Sequence, residues 1–450
     1  MNKLFKYIIQ KGSFNMSLSP TKADFLINLV GTSAMPNLIA LASRINSKGK
    51  IYFIYTEETK PIAEKLEEFI KKKNLEGKGA LDIESQGLEI FDYDNPEKVY
   101  ENLKKRFSQI KSEINDSNHE SPLIELNYTG ATKVISSIAY GVFKDAFKEY
   151  NINFAYLDGE KSEIHIHGKE GEKDNIFKYC SKESYISLNI MEVVEVHGDI
   201  GDVFEREGKS QEQSQFSKDM LKLIVSNIEK REEIINYLEI LNSKLKESNL
   251  YKDKDNFINF INDFLKENPL LPQYKNYEDF IIATGFDPRE LPQSKSKLRK
   301  FIERITKEVT GNWFEAVIHN ELKILKDNGN IDDFVSNLEK VRDEKPDFEI
   351  DFIAMKDYKM YYFSVTTCET VEKTEFKLYE IKQRAKILSE TESAIAAISF
   401  GDNKKVIIDE YKNIWQEKPK NIILVTWDDL PKLSKCLQQW IENRGIWQWE

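Results

Sequence analysis

Cysteine, histidine and long apolar runs are scarce in this sequence of 450 residues, and each shortage excludes a class of protein. The three cysteines are far apart and odd in number, which excludes a framework of paired disulfides. Five histidines and no C-x-x-C pair leave no structural zinc site to propose. No apolar run approaches the ~18 residues of a membrane span, and the short run near the N-terminus is too brief for a signal peptide. We therefore expect a cytoplasmic protein with no membrane partner.

Basic charge is also in deficit, since the formal net charge is −11. A protein that coats nucleic acid non-specifically needs a basic surface, so this balance disfavours that class. A local basic groove remains compatible with an acidic chain, so nucleic acid stays open as a substrate. Aromatic residues make up 12% of the sequence, and no proline-, serine- or glycine-rich stretch signals disorder. The length predicts two or three globular domains.

Strand and helix patterns alternate through about the first 170 residues. Strands are predicted at 24–30, 50–56, 88–93, 122–128, 152–158 and 162–168, and helices at 35–43, 60–74, 96–114 and 131–147. Apolar strands that are separated by helices predict a mostly parallel, doubly wound sheet. Such a sheet binds ligands at the loops beyond the carboxyl ends of its strands.

The remainder of the chain changes character twice. A further strand pair is expected between about 175 and 200, and residues 202–215 are interpreted as a polar linker. An almost wholly helical block, 216–310, is interpreted as a connector without a site of its own. The last third is predicted to contain a helix at 298–329 with a break at Gly311, strands at 347–355, 359–367, 393–400 and 420–427, and a helix at 375–390. That order suits an α/β/α core with a mixed sheet.

Two loops in the first region carry the residue types that hold a phosphate. They are VGTSAMPN (30–37) and LNYTGATK (126–133), each placed between a strand and a helix. Glycine lets the main chain approach an anion, and free N–H groups at a helix start face it. The hydroxyl donors are Ser33, Thr129 and Thr132, and the one full positive charge is Lys133. A threonine-capped turn explains either loop alone, but two loops in one sheet favour a nucleotide-type ligand.

The second loop resembles that of the CARF domain, the CRISPR-associated Rossmann-like sensor. The family pattern is asparagine followed by Thr-Gly-Gly-Thr-Lys, and this chain matches it except that Ala131 replaces the second glycine. The resemblance implies a homodimer that binds one cyclic oligoadenylate, with cyclic tetra-adenylate the expected activator, across its two-fold axis. The ligand-binding residues that it implies are Gly31, Thr32, Ser33, Met35, Asn127, Thr129, Gly130, Thr132 and Lys133.

A hairpin in the last third, FEIDFIAMKDYKMYYFSVTT (348–367), resembles half of a PD-(D/E)xK nuclease site. Those enzymes place one acid on a helix, a second on a strand and E-x-K on the next strand. The carboxylates hold Mg²⁺ or Mn²⁺, which activates water, and the lysine stabilises charge on the phosphate. Glu315 in GNWFEAV matches the helix acid, and Asp351 matches the strand acid. The expected E-x-K position is occupied by Ser-Val-Thr.

The same helix and hairpin resemble the CARF-linked nucleases of type III CRISPR systems. The resemblance implies catalytic positions at Glu315, Asp351, Ser364 and Thr366, and metal ligation by Glu315, Asp351 and the main-chain carbonyl of Val365. Lysines on or just before the next helix can supply the missing charge, and they are Lys373, Lys377 and Lys382. Glu349 lies on the same strand face as Asp351 and can serve as a further acid. Taken alone, F-E-I-D-F also fits a plain amphipathic strand, and Glu315 with His319 fits an ordinary helix pair.

Together the resemblances imply an α/β protein in three parts. They are a Rossmann-like CARF domain (1–175), a mostly helical connector (176–297) and a restriction-endonuclease-like α/β/α domain (298–450). The expected activity is that of a cyclic oligoadenylate-activated, metal-dependent endonuclease that nicks DNA, with single-stranded RNA as a further candidate substrate. One alternative is the same sensor with a degenerate nuclease domain that acts through a partner. Another is an enzyme that works at the T-G-A-T-K loop itself, for example by cleaving the cyclic ligand slowly.

Overall fold

The structure is a computed structural model of the protein. It describes residues 21–77, 80–117, 119–159, 161–168, 174–178, 181, 184–197, 202–205, 213–342, 345–389, 393–401, 403–415 and 421–447. The chain divides into two compact units, Met1–Asp199 and Ile200–Glu450, and each contains a β-sheet. No helix within the described ranges is long and apolar enough to cross a membrane.

The first unit is a mostly parallel sheet flanked by helices. Its strands are β1 (Ala23–Leu29), β2 (Ile45–Tyr55), β3 (Glu84–Glu89), β4 (Leu123–Asn127), β5 (Asn151–Asp158), β6 (Glu163–His167) and β7 (Asn175–Lys178). Its helices are α1 (Met35–Arg44), α2 (Lys60–Glu76), α3 (Pro96–Asp116), α4 (Lys133–Ala146) and α5 (Ile190–Val196). The order β3-β2-β1-β4-β5-β6-β7 is parallel from β3 to β5 and antiparallel beyond. The predicted Rossmann-like, doubly wound arrangement is confirmed.

Apolar spacing explains why these segments form this sheet. Helix α3 buries an apolar stripe that recurs every three to four residues, made of Val99, Leu103, Phe107, Ile110 and Ile114. Strand β4 is buried along its whole length, as a central parallel strand should be. Strands β1 and β4 pair directly, and the chain leaves them toward opposite edges of the sheet. Their carboxyl ends therefore form the switch point at which such sheets bind ligands.

The second unit combines helices with a mixed sheet. Its helices are α6 (Gln215–Ser226), α7 (Arg231–Leu245), α8 (Lys254–Glu267), α9 (Tyr277–Ala283), α10 (Lys295–Lys307), α11 (Trp313–Asp327), α12 (Val371–Ser389), α13 (Lys404–Trp415) and α14 (Leu433–Glu442). Its strands are β8 (Asp202–Glu205), β9 (Asp333–Arg342), β10 (Lys345–Lys356), β11 (Lys359–Val365), β12 (Ala394–Ile398) and β13 (Ile422–Val425). The order is β13-β12-β11-β10-β9-β8, parallel from β11 to β13 and antiparallel elsewhere.

A predicted helix break and a predicted hairpin turn are both present in this unit. The break expected at Gly311 is a π-helical turn, Glu308–Asn312, between α10 and α11. The hairpin turn between β10 and β11 is made by Asp357 and Tyr358, which both have positive φ, 46° and 65°. A turn of two left-handed residues matches the natural twist of an antiparallel pair. The acidic strand β10 is thereby held beside β11, in register from Phe352 opposite Phe363.

Some elements differ from the sequence-based expectation. Where a strand pair is expected between about 175 and 200, the structure has the strand β7 and the helix α5. The β-branched run favours a strand, but a capping box starts a helix there. The Asn189 side chain accepts from the Glu192 N–H, and the Glu192 side chain accepts from the Asn189 N–H.

Two strands are absent from the sequence-based prediction. Strand β8 lies within the stretch expected to be a linker, and β9 lies between the predicted long helix and the predicted hairpin. Both join the sheet through main-chain pairing to a neighbouring strand. Short or charge-rich segments of this kind show little apolar alternation, so their sequence alone does not indicate a strand.

Candidate functional site

The carboxyl ends of β1 and β4 meet at two buried asparagines. Asn28 and Asn127 are opposite each other in the sheet, and both are fully buried. Asn127 Nδ2 donates to Asn28 Oδ1 at 3.0 Å. Asn127 Oδ1 accepts from the Thr129 N–H at 3.2 Å and from the Thr129 hydroxyl at 2.8 Å. One asparagine therefore fixes both the strand pair and the start of the second loop.

The two predicted loops touch through their glycines. A Cβ built on Gly31 would lie 1.5 Å from the carbonyl oxygen of Gly130. A Cβ built on Gly130 would lie 2.3 Å from the carbonyl oxygen of Leu29. Neither position can carry a side chain without a shift of the main chain. The sequence 30–37 and the sequence 126–133 thus form one continuous surface of main chain at the switch point.

Helix starts complete this surface. Helix α1 begins at Met35, and α4 begins at Lys133 with the Thr132 hydroxyl accepting from the Ile135 N–H at 3.4 Å. Thr32, Thr132 and Lys133 are exposed, whereas Ser33 and Met35 are half-buried. The positive ends of two helices and one lysine therefore lie at the same edge of the sheet. We call the loop residues 30–37 and 126–133 the strand-end cradle.

Thr129 has a structural role in this arrangement. Its hydroxyl donates to Asn127 and accepts from the Leu157 N–H at 2.9 Å. The Thr129 hydroxyl, which the sequence suggests as a donor to a ligand, therefore already donates its proton to Asn127. Gly31, Gly130 and Asn127 shape the cradle, and the exposed hydroxyls and Lys133 are the groups that can contact a ligand.

Sequence reasoning does not single out two further residues at this edge. Asn28 and Asn37 are fully buried, and Nδ2 of Asn28 and both amide atoms of Asn37 have no hydrogen-bond partner among the described residues. Buried polar groups normally find partners, so such an unmatched pair is unusual. The signal in the sequence is an asparagine inside an apolar strand and another inside an apolar helix.

Aromatic rings border the second loop. The ring centroid of Tyr128 is 5.9 Å from that of Tyr156 and 5.8 Å from that of Tyr140. Tyr140 and Tyr156 are 37% and 42% exposed. Large exposed aromatic rings beside a polar loop offer stacking surfaces for a planar ligand.

Asp351 is the centre of the second candidate site. Its half-buried carboxylate accepts from the Val365 N–H at 2.7 Å and from the Ser364 hydroxyl at 3.4 Å. Burial and the neighbouring charge of Glu315 raise the pKa of Asp351 to about 6, while the Val365 N–H and Lys377 oppose that shift. The negative charge of Glu315 therefore disfavours ionisation of Asp351, and a cation bound beside Asp351 would offset that effect.

Glu315 reaches this centre from the first turn of α11. It is half-buried, and its charge also raises the pKa of Glu308, for which burial is the larger cause. The Thr367 hydroxyl donates to the Thr310 carbonyl at 2.9 Å, which ties the end of the β11 strand segment to the π-helical turn before α11. Asp351 thus contacts Ser364 and Val365 of the Ser-Val-Thr segment, and the charge of Glu315 acts on Asp351.

The nuclease resemblance implies a divalent metal ion at the carboxylates of Glu315 and Asp351. The described residues contain no group of three or more His, Cys, Asp and Glu side chains that could hold a metal ion. Mg²⁺ keeps several waters and is commonly bound through only one or two carboxylates. Glu315 and Asp351, with a main-chain carbonyl at the end of β11, fit that pattern.

Ser364 and Thr366 bring no charge to the site. Ser364 is buried and donates to Asp351, and the Thr366 hydroxyl accepts from the Cys368 N–H at 3.2 Å. Glu349 adds a negative charge that raises the pKa of Asp351, and its carbonyl accepts from Arg384. Glutamate and lysine are expected at Ser364 and Thr366. The side chains present there instead hydrogen-bond to Asp351 and to the main chain just after β11.

Comparisons with known proteins bear most directly on the first unit. Residues 25–185 match the family described as the Card1 CARF domain, a stretch that includes the whole strand-end cradle. No curated protein matches the chain.

Two solved structures resemble nearly the whole chain. Protein VC1899 from Vibrio cholerae has a TM-score of 0.63 at 15% identity, over 93% of this chain and 98% of that one. Can2 from Sulfobacillus thermosulfidooxidans, in complex with cyclic tetra-adenylate, has a TM-score of 0.55 at 15% identity, over 93% of this chain and 97% of that one. At this identity the likeness concerns the fold. The family match and the Rossmann-like sheet together support an N-terminal CARF domain in this protein.

Proposed function

We propose that this protein senses cyclic oligoadenylate with its first unit and cleaves nucleic acid with its second, in type III CRISPR antiviral defence. The observation that carries the proposal is the contact between Gly31 and Gly130 inside the stretch that matches the Card1 CARF family. That contact joins two helix starts into a surface for anions. The carboxylate pair of Glu315 and Asp351 supports the second half of the proposal.

Cyclic tetra-adenylate is the activator that we propose, because the similar structure of Can2 is a complex with it. The proposed contacts are the main-chain N–H groups of the strand-end cradle, the exposed hydroxyls of Thr32 and Thr132, and Lys133, all facing the phosphates. Exposed Tyr140 and Tyr156 offer ring faces on which adenine can stack. A ring of repeated adenylates has equivalent halves, so we propose that a homodimer binds one ring across its two-fold axis.

Glu315, Asp351 and the carbonyl of Val365 are the proposed ligands of Mn²⁺ or Mg²⁺. The bound ion supplies Lewis acidity and a more acidic water. The Val365 N–H and the Ser364 hydroxyl hold the Asp351 carboxylate in place. In the proposed hydrolysis of DNA or single-stranded RNA, a water oxygen bonds to phosphorus and the bond from phosphorus to one ester oxygen breaks. That oxygen leaves as an alcohol with one proton of the water, and the second proton passes to solvent.

A sensor with an inactive second unit is the alternative function. The observation that favours it is the absence of charge at Ser364 and Thr366, where the nuclease pattern has glutamate and lysine. Such a protein would bind the activator and act through a partner.

Plasmid nicking by the Asp351→Ala variant separates the two functions. We expect the wild-type protein with Mn²⁺ and cyclic tetra-adenylate to nick a supercoiled plasmid, and the variant to do so at least ~100-fold more slowly because it loses a metal ligand. The matched control is Asp327→Ala, an exposed acid at the far end of α11, which should nick like the wild type. Equal nicking by the Asp351 variant would refute the proposed metal site, and the absence of nicking by the wild type would favour the alternative.

A further inference from the structure

Helix α12 carries three charged side chains on the face that meets the acidic strand. Lys377, Glu380 and Arg384 follow at intervals of three and four residues, so they share one side of the helix. Lys377 Nζ donates to Glu380 Oε2 at 2.9 Å. Arg384 donates both to Glu380 Oε1 and to the main-chain oxygen of Glu349 on β10. This network anchors the helix face to β10 two residues before Asp351.

The side chains of this network are partly shielded from solvent. The side chains of Glu380 and Arg384 are each 21% exposed, and that of Lys377 is 36% exposed. The guanidinium carbon of Arg384 lies 5.8 Å from the ring centroid of Phe348, the first residue of the acidic hairpin segment. Lys377 is therefore held through its partner, yet its ammonium group remains within reach of solvent.

Position distinguishes Lys377 from the other two lysines that the sequence offers. Lys377 is linked through Glu380 and Arg384 to the main-chain oxygen of Glu349, two residues from Asp351 on the same strand. Lys382 Nζ instead donates to the Tyr411 hydroxyl on α13 at 2.7 Å. Lys377 and Lys382 lie five positions apart, which places them on different sides of a helix with ~3.6 residues per turn. Lys373 is exposed in the first turn of α12.

We propose that Lys377 replaces the missing strand lysine and contacts the scissile phosphate. This inference rests on the proposed nuclease function. The ammonium group donates a hydrogen bond to a non-bridging oxygen of the phosphate and gives up no proton. It neutralises charge that grows on that oxygen as water attacks. An ammonium group has three N–H donors, so Glu380 keeps one of them while the phosphate takes another.

The test compares four full-length proteins: wild type, Lys377→Ala, Lys377→Arg and the control Lys382→Ala. Single-turnover nicking of a supercoiled plasmid is measured with Mn²⁺ and cyclic tetra-adenylate. We expect Lys377→Ala to be slower by about 100-fold, the usual effect of losing a donor to developing charge. Lys377→Arg should keep a larger share of the rate because it keeps the charge, and Lys382→Ala should stay within about threefold of the wild type. Mn²⁺ binding, measured by electron paramagnetic resonance, should be the same in all four.

A second measurement does not depend on cleavage. Affinity for a short DNA duplex is measured in Ca²⁺ at several salt concentrations. Loss of one phosphate contact should lower the salt dependence of the affinity of Lys377→Ala by about 0.9 in logarithmic slope. Circular dichroism and cyclic tetra-adenylate binding check that each variant is folded.

The outcomes separate this inference from the proposed function. If Lys377→Ala nicks as fast as the wild type, Lys377 does not contact the phosphate, while the nuclease itself stands. If no protein nicks, the nuclease proposal fails, and the salt slope decides the inference alone. A lower slope in Lys377→Ala then supports the phosphate contact, whereas an unchanged slope, or no DNA binding by the wild type, overturns it.

Discussion

The ionised side chain of Asp351 destabilises the folded state, and the same side chain is the centre of the proposed metal site. Its pKa is raised to about 6 from 3.8, with burial the largest cause and Glu315 the next. The folded state therefore binds a proton more tightly than the unfolded chain does. The contribution of Asp351 to the free energy of unfolding should fall as the pH rises from about 4 to about 6, and the affinity for Mn²⁺ should rise over the same interval.

Removal of this charge gives a prediction about stability. Without metal at about pH 8, Asp351→Asn should melt about 2 °C or more above the wild type, because it no longer holds a disfavoured carboxylate. At about pH 4, where the folded protein holds this carboxyl group protonated and so carries no disfavoured carboxylate, the difference should largely disappear. Added Mn²⁺ should stabilise the wild type only. Scanning calorimetry measures all three effects, and equal melting temperatures at the higher pH would contradict this reading of Asp351.

The glycines of the strand-end cradle give a second prediction at this scale. In Gly130→Ala the new methyl group would meet the Leu29 carbonyl at 2.3 Å, so the second loop must move away from the first. We expect binding of cyclic tetra-adenylate to weaken at least ~10-fold, since the two helix starts would no longer share one anion surface.

The control for this variant is the neighbouring residue. Ala131→Gly restores the glycine of the family pattern and should bind the ligand like the wild type. Titration calorimetry measures both affinities. Unchanged affinity in Gly130→Ala would show that the contact between the loops does not shape the ligand site.

At the scale of elements, two kinds of segment can be predicted from the sequence. One kind is strongly apolar, and the other pairs with a segment that is close to it in the chain. Strands β1 and β4 and the loops after them are predictable because buried parallel strands are continuous apolar runs. The hairpin of β10 and β11 is predictable from two apolar runs and a short turn. Strand β9 is not, because its partner β10 supplies the main-chain hydrogen bonds that make it a strand.

Residues that support the sites are also hidden from the sequence. The burial of Asn28 and Asn37, the contact of Gly31 with Gly130 and the hydrogen-bonded link from Lys377 to the strand of Asp351 all depend on tertiary packing. The sequence predicts which residue types are available at each site. It does not predict which of three lysines lies near the carboxylates, since that depends on how α12 lies against the sheet.

The helical block 216–310 joins the sheet of its unit more closely than a connector would. The Trp427 Nε1–H donates to the Ile228 carbonyl at 2.8 Å, and Arg231 donates to the Phe400 carbonyl at 3.0 and 2.9 Å. Apolar residues of α6 to α10 and of the sheet form one hydrophobic cluster. The helices therefore bury the same core as the strands.

This packing predicts where the chain can be divided. A fragment of residues 200–450 should be soluble and fold cooperatively, whereas a fragment of residues 298–450 should aggregate, because it exposes the apolar surface that α6 to α9 cover. Solubility and thermal unfolding of the two fragments test this expectation. A soluble, cooperatively folding 298–450 fragment would show that the helical block is a separate connector after all.

At the scale of the whole molecule, the proposed function requires that a ligand in the first unit controls chemistry in the second. A ligand shifts a conformational equilibrium only by its difference in affinity for the two states. Cyclic oligoadenylate must therefore bind the active arrangement more tightly than the resting one. The ligand-free protein should accordingly show little cleavage, even with metal present.

Nicking of a supercoiled plasmid with and without activator tests this central claim most directly. The wild-type protein is assayed with Mn²⁺ or Mg²⁺ and with cyclic tri-, tetra- or hexa-adenylate, beside samples that lack either metal or activator. We predict nicking that requires both metal and activator and is fastest with cyclic tetra-adenylate. Equal nicking without any cyclic oligoadenylate, or no nicking with all three rings, would contradict the account.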